Sequence, residues 1–267
     1  MNIFKFEFKM LRKSIFIWGL FVPFGLVLYM SFYPWIAADT EAFESIMANF
    51  PDEFLSFFGM SAELPLFSLL GYFGLTFGMI QIPLAIQASN YGFHILSVEE
   101  RELTADFLLS KPVTRGKILI SKCLAAFASL TIVNLLVWVA SLIILFIVKG
   151  DETVNFTNVN LVLSTTVFFQ LAFFGMGVLI SVLVKKVTSV LSFSMALGFG
   201  MYIVSSFGSI LSSKLFNIIS PYSHFSPTYI LINGKYEWSL AIISFIIILV
   251  TLPLSYFLYQ KRNIASL

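Results

Sequence analysis

Charged side chains fall in bunches along this chain, and the intervals between bunches are long and apolar. Asp, Glu, Lys and Arg are absent from 14–38, 64–98, 123–148, 153–184, 187–213, 215–234 and 238–260. About 18 or more uncharged, mostly apolar residues suffice for a membrane-spanning helix. The run 215–234 differs from the rest: it carries Pro221, Pro227, His224 and two Asn, which suits a broken or re-entrant segment better than a span. The remaining six runs predict an all-α membrane protein, one transmembrane domain over 1–267. Its spans are expected near 15–37, 66–93, 118–148, 161–184, 188–212 and 239–259. Composition agrees, with 58% hydrophobic and 11% charged residues, against about 25% charged in ordinary soluble proteins.

The distribution of charge sets an orientation. Lys and Arg collect in cytoplasmic loops. With the N-terminus inside, all of the 16 basic residues except Lys149, Lys214 and Lys235 fall on the cytoplasmic side. Most of the 14 acids, from Asp39 to Glu63 and at Asp151, Glu152 and Glu237, fall outside. Both termini are therefore expected in the cytoplasm of a multi-pass plasma-membrane protein. The net charge of +2 hides this asymmetry, which topology and anionic lipid explain without nucleic acid. The first apolar run is longer than the 7–15 residues of a signal-peptide core, which makes it an uncleaved first span. The single cysteine, Cys123, excludes an internal disulfide and a cysteine-based metal cluster.

Residues 1–13 alternate apolar and charged side chains, a pattern shared by an interfacial helix on the inner leaflet and a plain basic flank. The external connection 39–63 is acidic and Phe-rich, and suggests short amphipathic helices at the outer surface. In span two, Gly71, Gly74 and Gly78 are expected to permit close helix packing, either within the subunit or between subunits, with Gly74 and Gly78 at small-xxx-small spacing. No Asp, Glu, Lys or Arg falls inside the six apolar runs. Ion-coupled transporters and proton pumps need such a group at mid-membrane. If this chain moves something, the driving force comes from elsewhere.

The densest polar stretch is Ser97 to Lys122, "SVEERELTADFLLSKPVTRGKILISK". Ser97 and Glu100 have the spacing of a capping box, and Glu99, Glu100 and Glu102 would occupy a helix first turn, where the dipole favours acids. This predicts a short cytoplasmic helix over about 98–110, ended by Pro112, with Thr114 capping the next helix into span three. On it Glu99, Glu102 and Asp106 form an acidic ridge beside Leu103 and Phe107. Leu103, Phe107, Leu108 and Leu109 are apolar within this charged setting, and lipid headgroups or a cytoplasmic partner would cover them.

The stretch resembles the cytoplasmic loop of the transmembrane permease subunits of type-2 ATP-binding-cassette exporters. Glu100, Thr104, Leu108, Leu109, Ser110, Pro112, Val113, Thr114, Arg115 and Lys122 match the pattern, while Leu103 stands where a glycine is expected. The resemblance extends to six spans, a basic start and the segment "IISPYSHFSP". It implies that Glu99, Glu100, Arg101, Glu102, Thr104, Asp106, Phe107, Leu108, Pro112 and Arg115 form a coupling helix docked on a separate cytoplasmic ATPase subunit. It further implies a complex of two permeases, the second the same or a related chain, and two ATPases, with ATP and Mg bound by the ATPase. The chain has no phosphate-binding loop of its own: Gly116–Lys117 and Gly234–Lys235 are followed by Ile118 and Tyr236, not Ser or Thr.

Two other readings compete. An intramembrane metalloprotease built on Glu99, Glu100, His94 and His224 lacks the three or four ligands a zinc site needs, and its histidines fall at opposite membrane faces. A non-transporting immunity, sensor or scaffold subunit could share the fold. Copurification of an ATPase separates it from a permease.

Overall fold

Several helices in this chain begin where a side chain satisfies a free N–H group of the first turn. In a computed structural model, which describes residues 2–61, 63–101, 113–184 and 186–261, α1 spans Asn2–Met30, followed by the short α2 Tyr33–Ala38, α3 Thr40–Met47 and α4 Asp52–Phe57. Two long helices follow, α5 Leu69–Arg101 and α6 Arg115–Val148. As the sequence predicts, Thr114 caps α6, its Oγ1 accepting from Lys117 N–H at 3.3 Å. Asn155 caps α7, Phe156–Leu183, accepting from Thr157 and Asn158, and Ser189 caps α8, Val190–Ile210. The segment after α8 breaks into three short helices, α9 Lys214–Ile219, α10 Pro221–His224 and α11 Pro227–Asn233, before the long α12, Trp238–Lys261. Pro221 and Pro227 open α10 and α11, positions where a missing N–H costs nothing.

The α1–α2 stretch, α5, α6, α7, α8 and α12 contain six segments long and apolar enough to cross a membrane. Glu7 near the start of α1 pairs with Lys122 near the start of α6, and Gly116 of α6 lies against Tyr256 near the end of α12, so the start of α1 and the end of α12 share one face. In their most apolar stretches, 61% of the residues of α5 and of α7 are buried inside the protein, against 17–33% in the other four. The pair α5 and α7 is the centre. Helices α1 and α8 pack on α5, α12 packs on α7, and α6 packs mainly on α1. Phe73, Phe77 and Leu84 of α5 and Phe169 and Phe173 of α7 are fully enclosed.

Glycine makes the central contact possible. A Cβ on Gly92 would stand 2.5 Å from the Phe174 carbonyl oxygen, and one on Gly177 would stand 2.9 Å from that of Ser89. Backbone meets backbone there. The α5–α7 contact also buries amides: Gln170 Nε2 donates to Leu84 O at 3.1 Å and to Gln87 Oε1 at 3.3 Å. Inward is the low-cost direction for such groups, because lipid offers them no hydrogen bond.

Two boundaries differ from the sequence pattern. Residues 3–13 continue directly into span one as a single helix. Span two runs to Arg101, so Ser97 is helix interior, and its hydroxyl donates to Phe93 O at 2.7 Å. The capping box at Ser97 and Glu100 therefore does not start a helix, since Ser97 is already hydrogen-bonded within one. Lys122 lies inside α6, at 4% exposure.

Candidate functional site

Two polar regions stand at opposite faces of the helical body. On the face of the termini, α5 ends and α6 begins around the charged stretch. Glu99, Glu100 and Arg101 form the last turn of α5, and Arg115 is the first residue of α6, half-buried. Glu102, Thr104, Asp106, Phe107, Leu108 and Pro112, with the remainder of the predicted 98–110 helix, lie outside the described residues. Next to this stretch, Lys122 Nζ donates to Ile95 O at 3.0 Å and lies 3.5 Å from Glu7 Oε1. One ammonium thereby ties α1, α5 and α6 together at the root of the loop. Sequence reading missed this pair, because Glu7 lies 115 positions away and only packing brings it near.

On the opposite face is a cavity of about 250 Å³ between α4, α5, α8 and the α9–α11 segment. Gly74, Gly78 and Gln81 line its α5 wall. A Cβ on Gly78 would meet nothing within 4 Å, whereas one on Gly74 would touch Leu231 at 3.1 Å and one on Gly71 would collide with the Pro65 carbonyl. Of the three glycines singled out in the sequence, Gly78 thus faces open space, Gly74 packs against α11, and Gly71 abuts the chain entering its own helix. The facing wall carries Tyr202, Ser205 and Ser209 from α8, and Asn217, Tyr222 and Ser223 from the segment. Glu237, half-buried ahead of α12, also lines it.

Hydrogen bonds shape this wall. Ser205 and Ser223 hydroxyls lie 2.7 Å apart, and Ser223 donates on to Asn217 Oδ1 at 3.3 Å. Tyr222 donates to Gly198 O at 3.2 Å, and Gln81 Nε2 donates to Phe225 O at 3.0 Å. Burial, with the neighbouring Tyr202 adding to it, pushes the Tyr222 phenol well above its usual range and keeps it neutral. His224 fastens the segment to α12. Its Nε2 faces the Ile218 carbonyl at 2.9 Å, which can only accept, so Nε2 donates and Nδ1 is left to accept from Ser244 at 2.7 Å. Burial lowers the pKa of His224. The other sequence-singled histidine, His94, is on α5 toward the opposite face, and among the described residues no three His, Cys, Asp or Glu side chains converge as a metal site.

The sequence did mark the 215–234 segment as polar and broken. The α8 serines carried a weaker signal, one helical face at 205 and 209, and Glu237 registered only as an external charge.

A family model described as ABC-2 family transporter protein matches residues 1–264 of the chain. No curated protein and no solved structure matches it.

Proposed function

Because this chain belongs to the ABC-2 transporter family, as a multi-pass permease subunit of the plasma membrane, we propose that it forms the translocation path of an exporter driven by a separate cytoplasmic ATPase. Two copies of the permease, or this chain and a related one, work with two ATPase subunits that bind ATP and Mg. The termini and the 97–122 stretch face the cytoplasm, in keeping with their basic residues. Glu99, Glu100, Arg101, Glu102, Thr104, Asp106, Phe107, Leu108, Pro112 and Arg115 form the docking element.

The observation that carries this reading is the continuity of α5. One helix of 33 residues, roughly 50 Å long at 1.5 Å per residue, ends at the charged stretch and at its far side lines the cavity with Gly74, Gly78 and Gln81. It crosses α7 at Gly92 and Gly177, where the backbones touch. From that crossing the arm to Arg101 is roughly 14 Å and the arm to Gly78 roughly 21 Å. A small push on the short arm becomes a larger displacement at the cavity, with Pro83 on the long arm as a point of bending. The Lys122–Glu7 pair adds α1 and α6 to the moving unit.

The test is replacement of Phe107 and Leu108 by Ala, at matched membrane abundance, with the ATPase from the neighbouring genes coexpressed. Each truncated side chain removes apolar contact worth about 1–3 kcal/mol, enough to lower ATPase copurification roughly tenfold or more. Wild-type copurification and wild-type transport-linked ATP hydrolysis would show that the docking element lies elsewhere.

A further inference from the structure

The cavity on the face opposite the termini has a chemistry that selects its ligand. Among the described residues that line it there is no Lys, Arg or His, and one carboxylate, Glu237. An anionic ligand would find no cation to pair with and would be repelled by Glu237. Five aromatic residues border the same space, and among them Phe57 and Tyr202 meet edge to face at 6.0 Å, and Tyr202 and Tyr222 at 5.5 Å. Aromatic rings beside a carboxylate are the surroundings in which an organic cation is held.

The hydrogen-bond accounting narrows the choice further. A hydroxyl has one proton to donate and two lone pairs with which to accept. Ser223 donates to Asn217 Oδ1, so the 2.7 Å contact between Ser205 and Ser223 is made by the Ser205 proton. Ser209 donates to Ser205 O at 3.3 Å, Thr228 to Gly59 O at 2.8 Å and Tyr222 to Gly198 O. These protons are all engaged within the protein. What these five hydroxyls have left to offer a ligand is lone pairs.

We propose that this cavity binds a small organic ammonium ion carrying N–H donors, with Glu237 neutralising its charge and the Ser205, Ser223 and Asn217 oxygens accepting its protons. Its volume of about 250 Å³ lies just below the usual range for small-molecule pockets, roughly 300–1,000 Å³, and limits the ligand to a few heavy atoms or a headgroup. A primary ammonium fits better than a quaternary one, because only the former has hydrogens for the acceptor wall. Free amines and the ethanolamine headgroup of a phospholipid share this chemistry. Binding belongs to the chain itself and requires no ATPase.

The full-length chain in nanodiscs of phosphatidylglycerol, which lacks amines, is titrated by ligand-observed NMR with ethanolamine, choline and ethylene glycol. Ethanolamine should saturate. Choline, equally charged but without N–H on its nitrogen, should bind at least about tenfold more weakly, the size expected for a lost charge-assisted hydrogen bond. Ethylene glycol should not bind. Glu237→Gln should weaken ethanolamine about tenfold and leave the thermal melt unchanged. Gly78→Leu, which grows into open space, should abolish binding with the fold retained. If phosphatidylethanolamine in the nanodisc raises the apparent Kd of ethanolamine, the occupant is a headgroup; an unchanged Kd assigns a soluble amine. Equal affinity for choline and ethanolamine, an unaffected Glu237→Gln variant, or no saturable ethanolamine binding in phosphatidylglycerol would each overturn the proposal.

Discussion

Helices α5 and α7 differ from α1, α6, α8 and α12 in what surrounds them far more than in how apolar they are. All six are predominantly hydrophobic, yet large side chains such as Phe16, Phe146, Leu191 and Leu249 stand exposed on the outer four, while Phe73, Phe77, Phe169 and Phe173 on the central two are enclosed. The central pair also carries Gln81, Gln87, Ser89, Thr165, Thr166, Gln170 and Ser181, all buried. In water the hydrophobic residues of a helix would mark its inner face. In a membrane lipid is as apolar as a core, and the inner face is marked instead by small residues and by polar groups that need partners. The centre of this protein is thus recognised by glycine and amide, not by phenylalanine.

The most direct way to break that contrast is to add bulk at the crossing. Gly92→Leu places its Cβ within 2.5 Å of the Phe174 carbonyl oxygen. Backbone cannot swing aside as a side chain can, so the helices must separate along their length. A loss of about 3 kcal/mol or more is expected, seen as loss of the monodisperse peak in detergent chromatography. Gly200→Leu on α8, where a Cβ meets nothing within 4 Å, should leave that peak intact. If both variants behave alike, the α5–α7 crossing is not the tight centre of the fold.

The same contrast explains what the sequence made legible. Six spans and the broken segment after α8 could be read directly, because every backbone group in lipid must be paired within a helix and apolar runs of sufficient length declare it. Thr114 as a cap could be read because a proline two positions earlier is a break signal in the sequence and Thr is a favoured cap. The helix start expected at Ser97 failed, because no proline stands between Pro83 and Ser97 and the one glycine there, Gly92, is carried inside α5. Extending a helix by a turn costs far less than nucleating a new one, and Ser97 is carried into α5. Lys122 was hidden for a different reason: its partners, Glu7 and Ile95, come from two other helices. The cavity was hidden in the same way, assembled from five separate stretches, with only the serines of α8 and the prolines of the segment hinting at it.

A smaller effect is expected from the buried amides. Gln170→Leu removes the donor to Leu84 O and to Gln87 Oε1 and leaves the Gln87 side chain without that partner, at 0% exposure. The cost should be about 1–2 kcal/mol, within the range for orphaning a buried polar group. Replacing Gln87 by Leu as well should recover part of it, since an apolar pair of similar size has no unmet hydrogen bonds. Thermal unfolding of the two single variants and the double variant measures the coupling. Additive losses would mean that the amides do not interact and that polarity is not what marks the centre.

The smallest effect separates the centre from the periphery by pH. None of the buried polar groups between α5 and α7 named above titrates near neutrality, but α12, one of the outer helices, is fastened to the α9–α11 segment through His224. Its ring donates to the Ile218 carbonyl and accepts from Ser244, an arrangement available only to neutral imidazole, and burial holds its pKa below the ordinary 6.5. The unfolded chain takes up a proton at higher pH than the folded one. The stability contributed by neutral His224 is therefore complete above about pH 6.5 and falls away as the pH drops through the lower folded value. Between pH 7.5 and 5 the melting temperature should decline, and His224→Gln should flatten this slope while costing about 1 kcal/mol at neutral pH for the altered hydrogen bonds. The decline should appear in a probe placed on α12 and not in one at the Gly92–Gly177 crossing, because protonation loosens the attachment of the outer helix before it reaches the central pair. A slope unchanged by His224→Gln, or one equally large at both probes, would show that the periphery is not held by this histidine.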